Sequence, residues 1–529
     1  MSGGRIQASG MMARAATRTR FVAGAALALL VALLMALAAC GPGGPSETVR
    51  QRTGPVWTPT ATQTAGTPVP GREGDWPTFD DDAARSGVNP NETTIALGTL
   101  GRLHRLWTAT LPKTADSTPI LLHDLTFADG SHHDVLYLTT LDGSLVALDA
   151  THGTRLWVKR TTGVKITNSS PVADPARTSV YSYGLDGRLH KYNAVTGDEV
   201  SGGGWPVLIT RFTATEKESS ALNAANGYVY VTTSGYIGDA PPYQGHVVAV
   251  RLADGTSTVF NSLCADKTHL LAQGECPDNQ SGIWARAGVT VDPVTGNVFA
   301  VTGNGPFTGN QGGHNWGDTV LELSADLTRL VDTYTPATYQ ALDQGDQDLG
   351  SMAPALLPKI PNSRTPYLAA QAGKDGMLRL LDRQNLSGQG GPGHVGGALS
   401  TIGTPGGCGV LTQPAVWTDP AGAVWLFVTD SCGTAGYQVS TAADGSTTLH
   451  QVWSIPQGAT SPVVAGGVLF AATGGAVFAL DPATGRQHWT STQHSAGGSV
   501  GDIHWESPIV VGGRLYCSDQ NGHVTAYGV

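Results

Sequence analysis

The sequence is poor in charged residues and lacks the motifs of several common enzyme classes. Only 14% of its 529 residues are charged, the formal net charge is −10, and no cluster of lysine and arginine occurs beyond the first 39 residues. This acidic balance argues against a nucleic-acid-binding surface, which needs concentrated positive charge. No Walker loop and no zinc-protease His-Glu-x-x-His motif occur. Because no Cys-x-x-Cys-His occurs either, we expect no c-type haem on this chain.

Glycine and proline are abundant instead. The 70 glycines and 31 prolines suit a fold with many tight turns and few long exposed helices.

The N-terminus has the pattern of a secretory signal. Four arginines in residues 1–20 precede an apolar run at 21–38, and small residues lead to Cys40. The stretch Leu37-Ala38-Ala39-Cys40 resembles the lipobox of bacterial lipoproteins, which implies cleavage before Cys40 and attachment of a lipid to its sulfur. An uncleaved membrane anchor is the alternative, and both place the body outside the cytoplasm, on the bacterial cell membrane.

The next segment is rich in proline, threonine and glycine. It has too few apolar side chains to fold by itself, so we predict a tether. The expected organisation is a signal peptide at 1–39, a tether at 40–74 and a folded body at 75–529.

Two stretches far apart in the body repeat one pattern. Residues 141–157 read LDGSLVALDATHGTRLW, and residues 474–489 read GGAVFALDPATGRQHW. Alternating β-prone residues predict strands, and the Asp-Gly and Asp-x-x-x-Gly elements predict the turns between them. A fourth, earlier strand is predicted to end in the Ser-x-Pro element at 116–119. The repeat is therefore a four-stranded antiparallel meander.

Eight such units can be followed between residues 75 and 529. Four-stranded sheets repeated around an axis form β-propellers, so we predict an all-β, eight-bladed propeller, with seven blades as the alternative. The last unit ends before its outer strand, and the first has a spare strand at 103–112. We expect the spare strand to complete the last blade and close the ring, which protects two open sheet edges.

The phrase Ala-x-Asp-x-x-Thr-Gly-x-x-x-Trp resembles the docking motif of propellers of the pyrroloquinoline-quinone (PQQ) type, in the quinoprotein alcohol dehydrogenase-like superfamily. In that family the Trp packs between neighbouring blades. The resemblance implies this role for Trp107, Trp157 and Trp489. It covers most of the chain after residue 75, and it specifies fold better than activity.

Dehydrogenases of this superfamily use a flat quinone, a calcium ion on oxygen ligands and a carboxylate base. The fourth unit resembles the corresponding blade of those enzymes, which implies that Asn304 ligates calcium. Asp348 is the implied base and a second calcium ligand, with Asp343 and Asp346 as alternatives. Further implied cofactor contacts are Trp284, Arg286 and Trp505. The other interpretation is a hydrated loop at 343–348 and a turn residue at 304.

Other features depart from that family. Its glutamate ligand follows Ser-Gly-Ala, whereas here Ile237 follows Ser234-Gly235-Tyr236, and Asp239 lies off the motif. No adjacent cysteine pair is present to cap a quinone. The residues three before each blade proline, or its equivalent, are expected to line the channel, with His504 and Glu506 nearby: Asp116, Asn168, Glu218, Arg286, Ser351 and Trp505. This ring could seat a polar ligand or consist of mutual salt links.

The cysteines and histidines suggest structural roles. Outside the cytoplasm, Cys264–Cys276 and Cys408–Cys432 are plausible disulfides, paired by proximity in the sequence, which leaves Cys517 as a buried thiol. His132, His133 and His314 lack metal-ligand spacing.

The expected function is binding or scaffolding by a lipid-anchored propeller, which resembles the propeller lipoprotein of the outer-membrane barrel-assembly machinery. Exposed strand edges or loops such as GNQGGHNWGD would then contact a protein partner at the rim. The alternative is a PQQ- and calcium-dependent dehydrogenase of an alcohol or sugar.

Overall fold

The computed structural model describes residues 73–163 and 165–529, except for the side chain of His494. The predicted signal peptide, Cys40 and all but the last two residues of the predicted tether lie outside the described residues. Among the helices that are described, none is long and apolar enough to cross a bilayer. Eight four-stranded antiparallel blades confirm the predicted eight-bladed propeller, and the short strand Val88–Asn89 adds in parallel to the inner strand Val463–Ala465 of one of them.

Within blades 1 to 7 the strands pair in chain order from the channel outwards. Blade 1 comprises Ile120–Thr126, His132–Thr139, Leu145–Asp149 and Arg155–Lys159. Blade 2 comprises Val172–Ala173, Ser179–Tyr183, Arg188–Asn193 and Val207–Leu208. Blade 3 comprises Asn223–Ala225, Tyr228–Thr232, His246–Arg251 and Ser257–Asn261. Blade 4 comprises Thr290–Val291, Val298–Val301, Val320–Leu323 and Leu330–Tyr334.

The second half of the ring repeats this order. Blade 5 comprises Ala355–Leu356, Leu368–Gln371, Met377–Asp382 and Ser400–Gly403. Blade 6 comprises Ala415–Thr418, Val424–Thr429, Thr434–Thr441 and Thr447–Ile455. Blade 7 comprises Val463–Ala465, Val468–Thr473, Ala476–Leu480 and Gln487–Thr490. Blade 8 comprises Ile509–Val511, Arg514–Asp519 and His523–Gly528, with His104–Thr110 as its outer strand.

Short elements connect these blades. Glu216–Lys217 pairs with Ser234–Gly235 beside blade 3. The single described α-helix is Tyr339–Gln344, and the 3-10 helices in the described part are Leu100–Arg102, Gly309–Gln311, Leu349–Ser351 and His494–Ala496.

The N-terminal strand closes the ring as predicted. His104–Thr110 pairs antiparallel with His523–Gly528, the last strand of the chain. One strand boundary was predicted wrongly, because the inner strand of blade 1 begins at Ile120, after the Ser-x-Pro element. Proline has no N–H for a ladder, so it suits the approach to a strand better than its interior.

The repeated phrase docks blade 8 onto blade 1 and blade 1 onto blade 2 through a turn glycine. Trp107 of blade 8 packs on the turn of blade 1, where a Cβ on Gly153 would stand 2.6 Å from the indole. Trp157 of blade 1 meets Gly197 of blade 2 at the same distance, and its Nε1–H donates to the Val195 carbonyl. Glycine is needed at both turns because φ is about +70° and the indole leaves no room for a methyl group.

Blades 6, 7 and 8 are joined in a related way. The indole N–H of Trp489 donates to the Leu103 carbonyl, which leads into the outer strand of blade 8. Trp453, which the sequence analysis did not single out, donates to the Pro482 carbonyl and lies against Gly485.

A segment before the first blade crosses one end of the channel. Residues 76–89 make backbone or side-chain hydrogen bonds to the inner region of seven blades, at Leu121, Ala173, Leu222, Val291, Val416, Val464 and Val510. Phe79 is fully buried against alanines of the inner region, including Ala353 at blade 5. Arg85 is also fully buried and donates to the carbonyls of Phe79, Leu222 and Ala287. The segment therefore reaches all eight blades and closes this end.

Candidate functional site

The polar side chains of interest gather at the opposite end of the channel. The residues that precede each blade proline lie at this end of the channel, whereas the residues that follow each proline contact the closing segment. The inner strands therefore run from this end towards the closing segment. Asp116 precedes Pro119, for example, whereas Leu121 pairs with Trp76. We call this open end the mouth. It is where the sequence analysis placed the chemistry.

The structure brings together the predicted Asn304 and Asp348. The backbone N–H of Asn304 donates to Asp348 Oδ1 at 2.7 Å, and its side-chain amide donates to Asp346 Oδ1 at 3.1 Å. Gly303 permits this approach, since a Cβ there would stand 2.2 Å from Asp348 Oδ1. Asn304 Oδ1 is buried and has no hydrogen-bond partner. Asp343 is exposed on the helix Tyr339–Gln344.

A lysine that the sequence analysis missed lies between the two carboxylates. Lys374 Nζ is 2.5 Å from Asp348 Oδ2 and 3.2 Å from Asp346 Oδ1. Its backbone N–H also donates to the Asp348 carbonyl. Burial alone would lower the pKa of Lys374, but Asp348 and Asp346 outweigh burial and raise that pKa. The ammonium group therefore supplies positive charge where a cation would lie. The Gly-Lys-Asp-Gly turn at 373–376 was its only sequence signal.

A buried acid stands close behind this pair. Asp318 Oδ1 accepts the backbone N–H of Leu349, which follows Asp348, while Asp318 Oδ2 is buried without a partner. Burial, together with the nearby charge of Asp348, raises the pKa of Asp318 to about 8. Asp318 therefore keeps its proton at neutral pH and adds no charge that would attract a cation.

The two predicted tryptophans meet at the mouth. The rings of Trp284 and Trp505 are 6.4 Å apart and almost perpendicular, at 77°. Lys374 Nζ lies 5.3 Å from the centre of the Trp284 ring. The indoles thus form an edge-to-face pair and not the parallel slot in which a flat tricyclic quinone would stack.

Arg286 is not free to hold a ligand. Its five N–H donors are directed at Trp505 O, Asn168 O, Ser219 O, Asp116 O and Ser170 Oγ, which is the full capacity of a guanidinium group. It is 3% exposed, and burial lowers its pKa. Arg286 therefore links blade 4 to blades 1, 2, 3 and 8 across the axis.

Other predicted channel residues bond to one another and to Lys217, which the sequence analysis did not single out. Lys217 donates to Asn168, and Asn168 donates to Asp116. Asp116 in turn lies 3.2 Å from His504 Nδ1. Burial lowers the pKa of Lys217 to about 8, although the Asp116 carboxylate opposes the shift. This row joins blades 3, 2, 1 and 8 along one side of the mouth.

Two buried glutamates complete the channel wall. Burial raises the pKa of Glu218 and of Glu506 to about 8, and each has one carboxyl oxygen without a partner. Ser351, also from the predicted ring, is buried and donates to the Val410 carbonyl. The ring residues of blades 1, 2, 4 and 8 thus form a bonded polar network around Arg286, whereas the side chains of Glu218 and Ser351 bond to other groups.

Blade 3 does not supply the glutamate that a calcium site of this type requires. Ile237, at the corresponding position, is fully exposed. Asp239 is exposed on the same loop and hydrogen-bonds Tyr243, whose pKa is raised by burial, then by Asp239 and by the charges of Asp348 and Asp346. Lys374 already pairs with Asp348 and Asp346. With that counter-charge in place and no glutamate at position 237, the residues present do not fit a calcium–quinone pair.

The cysteine predictions are confirmed for both disulfides. Cys264 bonds to Cys276 and Cys408 to Cys432, while Cys517 is buried and free. Disulfides are typical of proteins outside the cytoplasm.

Several histidine and aromatic side chains have structural partners. His132 and His133 each lie 2.7 Å from an aspartate, Asp124 and Asp149 respectively. The loop GNQGGHNWGD was expected to contact a partner, which calls for an exposed aromatic residue. Its aromatic residue, Trp316, is instead only 6% exposed and packs on Phe307.

Comparisons with known proteins agree with this architecture. The sequence profile of the family described as outer membrane protein assembly factor BamB matches residues 101–203 and 434–529. No curated protein sequence matches the chain. The fold is similar to quinohemoprotein alcohol dehydrogenase ADHIIG from Pseudomonas putida HK5, with a TM-score of 0.61 and 16% identity over 86% of this chain and 80% of that one.

Two other solved structures show a comparable likeness. The quinohemoprotein alcohol dehydrogenase from Comamonas testosteroni has a TM-score of 0.60 and 18% identity, over 86% of this chain and 80% of that one. A europium-containing methanol dehydrogenase has a TM-score of 0.61 and 14% identity, over 86% of this chain and 98% of that one. The chain therefore shares the β-propeller fold of these quinone-type dehydrogenase structures.

Proposed function

We propose that this chain is a binding or scaffold module of the cell envelope, held to the membrane through lipidated Cys40, that contacts a protein partner with its rim. One observation carries the proposal. The two matched stretches, 101–203 and 434–529, are brought together by ring closure into one sector, which runs from the two outer strands of blade 6 through blades 7, 8 and 1 to the first three strands of blade 2. The profile that matches this sector is that of an assembly factor.

The rim of this sector has features of a docking surface. Leu106, on the outer strand of blade 8, is 42% exposed. The outer strand of blade 1 carries Arg155 and Lys159 on an open surface. An outer strand presents unpaired backbone groups to which another strand can bind. We therefore place the partner along the outer strands of blades 8 and 1.

In-cell photo-cross-linking tests this placement. A photoreactive amino acid would replace Leu106 in one strain. In the control strain it would replace Val294, which is 51% exposed in a turn of blade 4, outside the matched sector. We expect one light-dependent protein adduct at position 106 and none at 294. No adduct at 106, or the same adducts at both positions, would contradict the proposal.

A second candidate is a quinone-dependent dehydrogenase, favoured by the unpartnered Asn304 Oδ1 beside Asp348. The test is dye-linked oxidation of alcohols and sugars by the full chain after incubation with PQQ and Ca²⁺. Activity that is lost in both Asn304→Ala and Asp348→Asn would establish this candidate. Activity of the wild type no higher than that of the variants would remove it.

A further inference from the structure

The outer edges of blades 8 and 1 carry an excess of positive charge on an acidic chain. Residues 93–115 and 150–173 include the outer strands of these two blades, and neither stretch contains an aspartate or a glutamate. Together they contain seven of the 31 lysines and arginines, although the net charge of the chain is −10. The basic residues are too widely spaced to form a run in either stretch, so the concentration of charge depends on ring closure.

Ring closure makes the two outer strands neighbours. Trp107, in the middle of His104–Thr110, packs on Gly153, which lies just before Arg155–Lys159. We use the term basic edge for the lysines and arginines on these two strands and next to their ends. The basic edge consists of Arg102, Arg105, Lys113, Arg155, Lys159 and Arg160.

The cations of the basic edge have little compensating charge within the protein. Among the described residues, only Lys159 forms an ion pair, and its Nζ lies 3.9 Å from the carboxylate of the exposed Asp198. Asp142 also attracts Arg160, but Asp142 Oδ1 already accepts hydrogen bonds from the turn that it caps. The basic edge can therefore interact with negative charge on another molecule.

The outer strand of blade 8 also offers backbone groups. His104–Thr110 pairs on one side with His523–Gly528 and is the outermost strand of its sheet. Five of its seven side chains are exposed, among them Leu106. An edge of this kind binds a further strand through main-chain hydrogen bonds, while the neighbouring side chains select its sequence.

Charged side chains can also protect a sheet edge from unwanted pairing. Charges of either sign serve that purpose, whereas the two neighbouring outer strands here carry positive charge alone. The outer strand of blade 6, Thr447–Ile455, is longer than either and has no lysine, arginine, aspartate or glutamate. Protection by charge is therefore not general in this ring, and the basic edge indicates a ligand of opposite charge.

We infer that the partner presents an extended acidic segment, which pairs with His104–Thr110 and directs aspartate or glutamate side chains at the basic edge. This inference rests on the proposed function and adds the chemistry of the partner to it. Leu106 gives the segment an apolar contact. An anionic membrane is another source of negative charge, but its surface has no backbone groups to pair with the strand and would repel the acidic remainder of the chain.

Fluorescence anisotropy with the purified full chain tests the inference. The probe is a labelled nine-residue peptide in which glutamate alternates with valine or threonine. One control peptide has glutamine at each glutamate position, and a second keeps the glutamates but has prolines in place of two valines, which prevents strand pairing. We expect saturable binding of the probe that weakens as salt rises, and at least tenfold weaker binding of both controls. Equal binding of the glutamine peptide would overturn the acidic character of the ligand, and equal binding of the proline peptide would overturn strand pairing.

Variants locate the binding. Arg102→Gln combined with Arg105→Gln removes two charges from the basic edge, so we expect about tenfold weaker binding of the probe. The matched control combines Arg329→Gln with Lys359→Gln, which removes two exposed charges from blades 4 and 5 and should leave binding nearly unchanged. Circular dichroism checks that both chains fold. An equal loss in the two double variants would show an effect of net charge alone and would overturn the site.

Two further measurements separate this inference from its alternatives. A cross-linked adduct at position 106 whose yield is unchanged by the Arg102→Gln and Arg105→Gln pair would leave the proposed function intact and overturn the acidic partner. Absence of that adduct would instead remove the proposed function. Sedimentation of the chain with phosphatidylglycerol vesicles but not with phosphatidylcholine vesicles, without binding of the probe, would assign the basic edge to a lipid surface and overturn the inference.

Discussion

Replacing Arg286 should destabilise the fold and reveal that its role is structural. Arg286→Met keeps an apolar chain of similar length but removes all five donors. The carbonyls of Trp505, Asn168, Ser219 and Asp116 then lose a partner. Each buried acceptor left unsatisfied costs about 1–3 kcal/mol. The buried carboxylate of Asp116 also loses the facing positive charge.

The gain from no longer burying a guanidinium offsets part of this loss. Removing one partner of a buried ionic arrangement costs about 3–5 kcal/mol in other proteins, and we expect a decrease of that size in the free energy of unfolding. Arg286→Lys keeps the charge but has fewer donors, so it should fall between the wild type and the methionine variant.

Urea unfolding followed by tryptophan fluorescence and circular dichroism measures the effect. The matched control is Arg251→Met, because Arg251 is half exposed and its ion pair with Asp254 lies on the surface; it should change stability by less than about 0.5 kcal/mol. A cost below about 1 kcal/mol for Arg286→Met would refute the reasoning. Arg286 would then be available for a ligand, as the family resemblance implied.

Three further predictions concern titration, blade docking and the free thiol. Because burial raises the pKa of Glu506 to about 8 from an ordinary 4.5, the folded chain keeps a proton that the unfolded chain loses. The free energy of unfolding should therefore fall by up to about 1.4 kcal/mol per pH unit between roughly pH 5 and 8. Urea unfolding of Glu506→Gln should show a weaker dependence of this free energy on pH. An equal pH dependence would contradict the raised pKa of Glu506. Gly197→Ala should lower the free energy of unfolding by about 1–3 kcal/mol more than Gly202→Ala in the same assay. Both glycines have positive φ, but only Gly197 contacts an indole. Equal losses for the two variants would contradict the docking of Trp157 on Gly197. Cys517 should resist thiol reagents in the native chain and react after unfolding, as judged by peptide mass mapping, because it is fully buried and burial raises its pKa; modification in the native chain would contradict this.

The blade number and the ring closure could be predicted because both depend on sequence patterns that lie within short stretches of the chain. Each blade repeats strand periodicity and turn residues, and the spare strand at 103–112 complements the missing strand at the C-terminus. The Asp-x-x-Thr-Gly turn and the Trp were recognised as one motif. That the glycine of one blade receives the Trp of the preceding blade required the assembled ring.

The closing segment could not be predicted in the same way. Residues 76–89 show no repeat and little periodicity, and their hydrogen bonds go to strands that are up to 421 positions away. Phe79 and Arg85 are buried only because the inner regions of the blades surround them. Long-range enclosure of this kind leaves no signal in a local window.

Part of the candidate site could be predicted from local sequence, and part depended on contacts between distant segments. Asn304 and Asp348 follow a motif within one region of sequence, and the structure brings them together. Lys374 belongs to the next hairpin, and its position depends on how that hairpin meets the turn before blade 5. The ion pairs of Lys374 with Asp346 and Asp348 determine what this site can bind, because both carboxylates already have a positive partner.

A calcium and quinone titration tests the central claim, that the mouth is not a cofactor site. Isothermal calorimetry would follow Ca²⁺ with and without PQQ for the purified full chain and for Lys374→Ala. The account predicts no saturable Ca²⁺-dependent quinone binding by the wild type, and Ca²⁺ binding only after Lys374 is removed, since Asp346 and Asp348 then lack their ammonium partner. Tight, Ca²⁺-dependent binding of PQQ by the wild type that is lost in Asn304→Ala would contradict it.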